Sequence, residues 1–154
     1  MSSNDFVLNW GIIGSGLIAN DFCQSINSLE TNLHVLKSVS ALTLDEANAF
    51  ADKHKIENRY GSFDEMFNDS QVNIVYVATI NRTHKELCLK AIDAGKHVLC
   101  EKPMSMFRRD QEEIFAAAKA KKVFLMEVCN IFFSIKNYYA RKSKCLYLMG
   151  NELL

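Results

Sequence analysis

Glu101-Lys102-Pro103 follows directly on the short apolar run Val98-Leu99-Cys100, and that run begins three residues after Gly95. A lysine at the carboxyl end of a strand, in front of the chain's single proline, is an amine whose place is specified twice. The strand fixes it from one side and the restricted φ of Pro103 from the other, with a cis bond in a tight turn as one available geometry. In an open α/β sheet that edge is where ligands sit. Lys102 is therefore expected to point into a cleft, where an ammonium can hold a substrate hydroxyl or, with its pKa lowered by apolar surroundings, act as acid or base. The bland alternative is a lysine salt-bridged at a surface turn.

A second candidate lies near the amino terminus. Gly14-Ser15-Gly16-Leu17-Ile18-Ala19 fits G-x-G-x-x-G/A and stands between an apolar run and a helical pattern, the context in which the motif carries meaning. Gly14 would permit the tight turn, Gly16 the approach of a pyrophosphate to the backbone, and Ala19 the close packing of helix on strand. Ser15, Leu17 and Ile18 complete the loop and open the helix, whose unpaired N–H groups favour phosphate. The end of the second strand should separate NAD from NADP, through an acid for the ribose hydroxyls or an arginine for a 2′-phosphate. Ala41-Leu42-Thr43 has neither. Thr43 either donates one hydrogen bond to a ribose or simply caps the next helix, so the loop implies a dinucleotide without naming it.

The elements that would position these groups alternate regularly. Buried strands are expected over 8–13, 34–41, 73–78, 98–100 and 123–128, where short apolar runs are bounded by turn residues. Helices are expected over 17–26, 44–54 and 108–119, with a short one after Ser62. Thr43-Leu44-Asp45-Glu46, Ser62-Phe63-Asp64-Glu65 and Thr83-His84-Lys85-Glu86 read as capping boxes, and Gly95 as the stop of the helix opened at Thr83. The β-α-β-α order specifies a doubly wound parallel sheet of the Rossmann class with right-handed crossovers.

The 154 residues suit one domain with a proper core. Eighteen basic and eighteen acidic residues balance, which argues against nucleic acid or an anionic membrane as partner and leaves a small diffusible molecule. The five cysteines form no C-x-x-C pair, and no Lys or Arg precedes Lys37. Zinc, a disulfide framework and a secretory leader are not expected, and the compartment reading is cytoplasmic.

With the glycine loop, Tyr60-Gly61-Ser62-Phe63, Val77-Ala78-Thr79, Thr83-His84 and Gly95-Lys96-His97-Val98-Leu99-Cys100-Glu101-Lys102-Pro103 in order, the chain resembles the Gfo/Idh/MocA oxidoreductases. The resemblance runs over about Asn9 to Glu127 and is strongest to their dihydrodiol and D-xylose dehydrogenase branch. It implies an NADP- or NAD-binding Rossmann domain over 8–130, hydride transfer at a carbon bearing a hydroxyl in a sugar or trans-dihydrodiol, and Lys102 as the lysine beside the nicotinamide. Thr79, Asn81 and His84 match the loop beside the cofactor, Glu101 the same cleft wall, and Leu42 and Thr43 the ribose end.

Three departures stand out. Thr79-Ile80-Asn81 replaces the family's Thr-Pro-Asn, Leu42 stands where the branch often has arginine, and Cys129-Asn130-Ile131-Phe132-Phe133 lacks an expected arginine. Residues 131–154 match nothing in the family, so the expectation is a dinucleotide domain without the family's second β-sheet domain. The alternative reading is a non-catalytic dinucleotide-binding chain that associates with itself or with a full-length copy. His97 reads as structural, Arg108-Arg109 as a solvated helix face, and Phe132, Phe133, Tyr138 and Tyr139 as core or interface. His34 and His54 lack supporting context.

Overall fold

The computed structural model describes residues 6–128. The aromatic tail, Cys129, Cys145 and the expected boundary near residue 130 lie outside the described residues. In chain order the elements are β1 (Leu8–Ile13), α1 (Leu17–Asn27), β2 (His34–Ser40), α2 (Leu44–His54), β3 (Asn58–Tyr60) and α3 (Phe63–Phe67). They continue with β4 (Ile74–Val77), α4 (Asn81–Asp93), β5 (His97–Cys100), α5 (Arg108–Lys121) and β6 (Leu125–Glu127).

The six strands form one parallel sheet in the order β3-β2-β1-β4-β5-β6. The order reverses between β1 and β4, and the loops leaving the carboxyl ends of these two strands diverge there to leave a crevice. All four residues of β4 are buried, as a strand covered on both faces requires. Trp10, Ile12, Phe22, Val39, Phe50 and Tyr76 pack between the sheet and α1 and α2. Ile13, Met66, Val75, Leu87, Ile92 and Ile114 fill the opposite layer, under α3, α4 and α5. Among the described residues no helix is long and apolar enough to cross a membrane.

Two of the three capping boxes cap as expected. The Thr43 hydroxyl accepts from the Glu46 N–H at 3.2 Å and the Ser62 hydroxyl from the Glu65 N–H at 3.4 Å. The third does not. Helix α4 begins at Asn81 with Ile80 as its extended N-cap, and the Thr83 hydroxyl donates back to the Ile80 carbonyl at 2.8 Å. A threonine inside a first turn bonds backward along the helix in this way; the preceding loop, not a side chain, sets where the helix starts. Strand β3 is absent from the sequence expectations because Asn58-Arg59-Tyr60 shows neither an apolar run nor alternation. Its place comes from pairing with Ser38, Val39 and Ser40 of β2.

That polar edge of the sheet is organised by Asp69. Its Oδ2 accepts from Ser38 at 2.7 Å, Asn58 at 3.0 Å and Tyr60 at 3.1 Å, and its Oδ1 from the Gln71 N–H at 2.8 Å. The buried Lys96 ammonium donates to the carbonyls of Asp69 and Val72 at 2.6 and 2.8 Å. Burial pushes the Asp69 carboxyl upward, but the donated hydrogen bonds outweigh it and hold the group below the usual carboxylate range. Burial lowers the Lys96 pKa, with the Asp69 charge opposing.

Asp69→Ala strands the buried Ser38 hydroxyl and three partly buried donors and should lower the unfolding free energy by about 2–4 kcal/mol near neutral pH. Because the folded-state pKa is depressed, this contribution is complete above the unfolded carboxylate pKa and fades as pH falls through the folded value. Urea titrations of both proteins across the acid range check this. A loss under about 0.5 kcal/mol near neutral pH would show the cluster to be incidental.

Candidate functional site

The turn after β1 is set by Gly14. Its φ of +103° lies in the left-handed region, and a Cβ there would stand 2.8 Å from the Ala78 carbonyl oxygen and 3.4 Å from the Thr79 methyl. The Gly14 N–H donates to the Ser40 carbonyl at 2.8 Å and the Ala78 N–H to the Ile13 carbonyl at 2.9 Å. The ends of β2, β1 and β4 are thereby locked together.

Gly16 differs in kind. It is the N-cap of α1 with ordinary extended dihedrals (φ −76°, ψ −179°) and no side-chain cap, and the first turn of α1 carries no acid. A Cβ built on it meets nothing within 4 Å, so the fold itself does not need glycine here. An uncapped helix end bordered by open space is an anion receptor, and its donors fit a pyrophosphate. Ala19, in the first turn of α1, is fully buried. Beside the loop lies a cavity of about 370 Å³ lined by Ser15, Gly16, Leu17 and Asn20 and, from α2, by Glu46 and Lys53.

Across the crevice Lys102 ends the β5 segment, joined to Pro103 by a cis peptide bond. Its side chain is exposed, and among the described residues it forms no ion pair. Neighbouring buried groups hold its backbone. Glu101, expected to line the cleft, instead turns inward: Oε1 accepts from the Tyr76 hydroxyl at 2.6 Å and Oε2 from the Lys102 N–H at 3.2 Å. Tyr76 is fully buried, stacks on Phe22 of α1 at 4.1 Å, and has its hydroxyl pKa pushed up by burial and then by Glu101. It therefore stays a donor.

His84, expected beside the cofactor, is likewise buried. Its Nδ1 lies 2.9 Å from the Pro103 carbonyl and its Nε2 3.0 Å from that of Thr79, so each ring nitrogen faces a backbone carbonyl and whichever carries the proton donates to it. The ring ties the β4 loop to the Lys102 loop. Thr79 shares a 2.8 Å hydrogen bond with Thr83, and the exposed Asn81 amide donates to Met106 Sδ at 3.4 Å. Leu42 is 78% exposed and Thr43 spends its acceptor on the helix cap. Leu17, Leu42, Ile80, Met106 and Phe107 are exposed and lie in the segments that follow β1, β2, β4 and β5. Elsewhere, His97 Nδ1 accepts from the Phe124 N–H at 3.0 Å and His34 Nδ1 from Trp10 at 3.1 Å, both structural uses.

Sequence reasoning missed Tyr76, which looks like any aromatic in an apolar run, and Glu46, whose capping-box pattern concealed its access to the cavity. Among the described residues no three His, Cys, Asp or Glu side chains gather as a metal would require.

The model of the oxidoreductase family with an NAD-binding Rossmann fold, GFO_IDH_MocA, matches residues 8–128. The chain is 43% identical over 120 residues to the trans-1,2-dihydrobenzene-1,2-diol dehydrogenase of Mus musculus, covering 78% of this chain and 36% of that protein. The solved structure of KijD10, a 3-ketoreductase from Actinomadura kijaniata in complex with TDP-benzene and NADP, superposes with a TM-score of 0.74 at 28% identity. It covers 79% of this chain and 38% of the other. A levoglucosan dehydrogenase in complex with NADH and levoglucosan gives 0.71 at 25% identity, over 77% of this chain and 34% of its own. The chain thus spans little more than a third of the relatives it matches.

The two glycines should respond oppositely to substitution. Gly14→Ala combines a positive φ with a clash on a backbone oxygen and should cost about 1–3 kcal/mol of stability. Gly16→Ser supplies the missing cap and should leave stability unchanged or raise it by a few tenths of a kcal/mol. Thermal melts of the two variants check both; a Gly16→Ser protein as damaged as Gly14→Ala would make Gly16 a structural glycine.

Proposed function

Because the chain belongs to the Gfo/Idh/MocA oxidoreductase family, we propose that it binds NADP or NAD across the crevice between β1 and β4 and serves hydride transfer at a carbon bearing a hydroxyl. The substrate class is a sugar or trans-dihydrodiol, as in D-xylose and trans-dihydrobenzenediol dehydrogenases. One observation supports this most directly. The uncapped, unobstructed end of α1 at Gly16 and the unpaired ammonium of Lys102 lie on the same sheet edge. Their strands stand two spacings apart, about 10 Å.

The nicotinamide, when bound, supplies the hydride acceptor or donor. The chain's own groups do the rest. The first-turn N–H groups of α1 take the pyrophosphate, with Gly14 holding the turn and Ser15, Leu17 and Ile18 bordering it. Thr79 and Asn81 border the middle of the crevice. Lys102 holds the substrate hydroxyl and helps move its proton, while Glu101 and His84 act behind it as positioning groups. Further substrate contacts would come from a second domain such as the relatives' remaining length accommodates, with 131–154 lying beyond the dinucleotide domain. The setting proposed is cytoplasmic, in keeping with the buried free thiols of Cys23, Cys88 and Cys100.

A second reading is a dinucleotide-binding chain without turnover of its own, which associates with another copy or a full-length relative. The exposure of Leu17, Leu42, Ile80, Met106 and Phe107 after the carboxyl ends of the strands favours it, since exposed apolar surface promotes association.

The test is dinucleotide binding by calorimetry together with nicotinamide absorbance in the presence of D-xylose or trans-dihydrobenzenediol. Lys102→Met should reduce turnover by about a hundredfold or more and leave dinucleotide affinity within about threefold. Binding without turnover selects the second reading. Absence of dinucleotide binding by the folded chain defeats both.

A further inference from the structure

We propose that Glu46 is the residue that chooses between the two dinucleotides, accepting a hydrogen bond from a free ribose 2′-hydroxyl and repelling a 2′-phosphate, so that the chain takes NAD(H) over NADP(H). This rests on the dinucleotide reading above and goes beyond it. In a crevice of this kind the adenosine ribose would lie where β2 hands over to α2, beside the glycine loop. Three features of that corner bear on the choice.

The residues at the strand end offer no cation. Leu42 is an exposed hydrocarbon, and the Thr43 hydroxyl already accepts from the Glu46 N–H, leaving it one proton to donate. Arg59, on the neighbouring strand β3, is turned to Asp52 of α2 at 2.8 Å.

The first turn of α2 carries two acids, Asp45 and Glu46. A helix N-terminus by itself attracts anions, but here the capping hydroxyl takes one of its donors and two carboxylates already stand against its dipole. Among the described residues neither carboxylate is in an ion pair.

Glu46 also opens onto the cavity of about 370 Å³ that Ser15 and Gly16 line. The space admits a phosphate, so selection there is by charge and not by exclusion. Among the described residues Lys53 is the one cation on the cavity wall. It stands seven residues further along α2, about 10 Å down the axis, and forms no ion pair with Glu46. A 2′-phosphate brings nearly two negative charges at neutral pH to a corner that Glu46 lines. A 2′-hydroxyl brings a donor that the same carboxylate accepts.

Calorimetric titration of the 154-residue chain with NAD⁺ and NADP⁺ at low ionic strength tests this. NAD⁺ should bind at least about tenfold more tightly, a difference of about 1.4 kcal/mol. Glu46→Gln, which keeps an acceptor and removes the charge, should narrow the gap to within about threefold by improving NADP⁺. Added salt should narrow it in the wild type as well. Leu42→Arg combined with Glu46→Gln should reverse the preference. Equal or tighter binding of NADP⁺ by the wild type, or a gap unmoved by Glu46→Gln in a protein that melts normally, overturns the proposal while leaving the dinucleotide reading intact. Failure of both dinucleotides to bind the folded chain overturns the two together.

Discussion

The crevice exists because the turn after β1 is pressed against the carbonyl that ends β4. Gly14 sits in the left-handed region with its Cα so near the Ala78 oxygen that a methyl group would overlap it. The contact brings the two diverging loops to closest approach at the point where strand order reverses. It also fixes the entry to α1, so the helix end at Gly16 faces outward along the sheet's carboxyl edge. Displace this turn and the anion-receptive end of α1 would lose its relation to everything that follows β4 and β5.

On the far side of the crevice the exposed amine depends on groups that are not exposed. Glu101 is gripped by Tyr76 and by the Lys102 backbone N–H, and His84 spans the carbonyls of Thr79 and Pro103. Tyr76 stacks in turn on Phe22, and Phe22 meets Trp10 edge-on at 4.9 Å. A continuous aromatic layer therefore runs from α1 beneath the sheet to the carboxylate behind Lys102. Buried polar groups with their partners in place rigidify their surroundings, and here they do so behind an exposed side chain that forms no ion pair among the described residues.

The other polar concentration, around Asp69 and Lys96, serves the edge of the sheet. It supplies partners to β3, a three-residue strand too short to hold by ladder bonds alone, and ties the loop before β4 to the start of β5. Its members are spread over 38–96, and apart from Ser38 in the buried strand β2 they are polar residues in stretches that otherwise look like loop or edge.

The alternation of buried runs and capped helices, the Gly14-Ser15-Gly16 turn and the strand-end position of Lys102 were legible from the chain alone, because each depends on neighbours within a few residues. Short-range physics is written locally: a φ that only glycine tolerates, a hydroxyl that caps three residues on, a four-residue apolar strand. The roles of Glu101 and His84 were not legible, since whether a polar side chain faces a cleft or a carbonyl is settled by what packs behind it. Strand β3 was hidden for the same reason, its pairing being with β2 rather than with anything adjacent in sequence. So was the opening of Glu46 onto the cavity beside Ser15, which follows from how α1 and α2 lie together on one face of the sheet. The sequence by itself determined the order of the elements and the two turns that carry candidate chemistry. Only the tertiary structure decided which polar groups remain free, because a hydrogen bond between distant residues removes a group from chemistry without leaving any mark on the sequence around it.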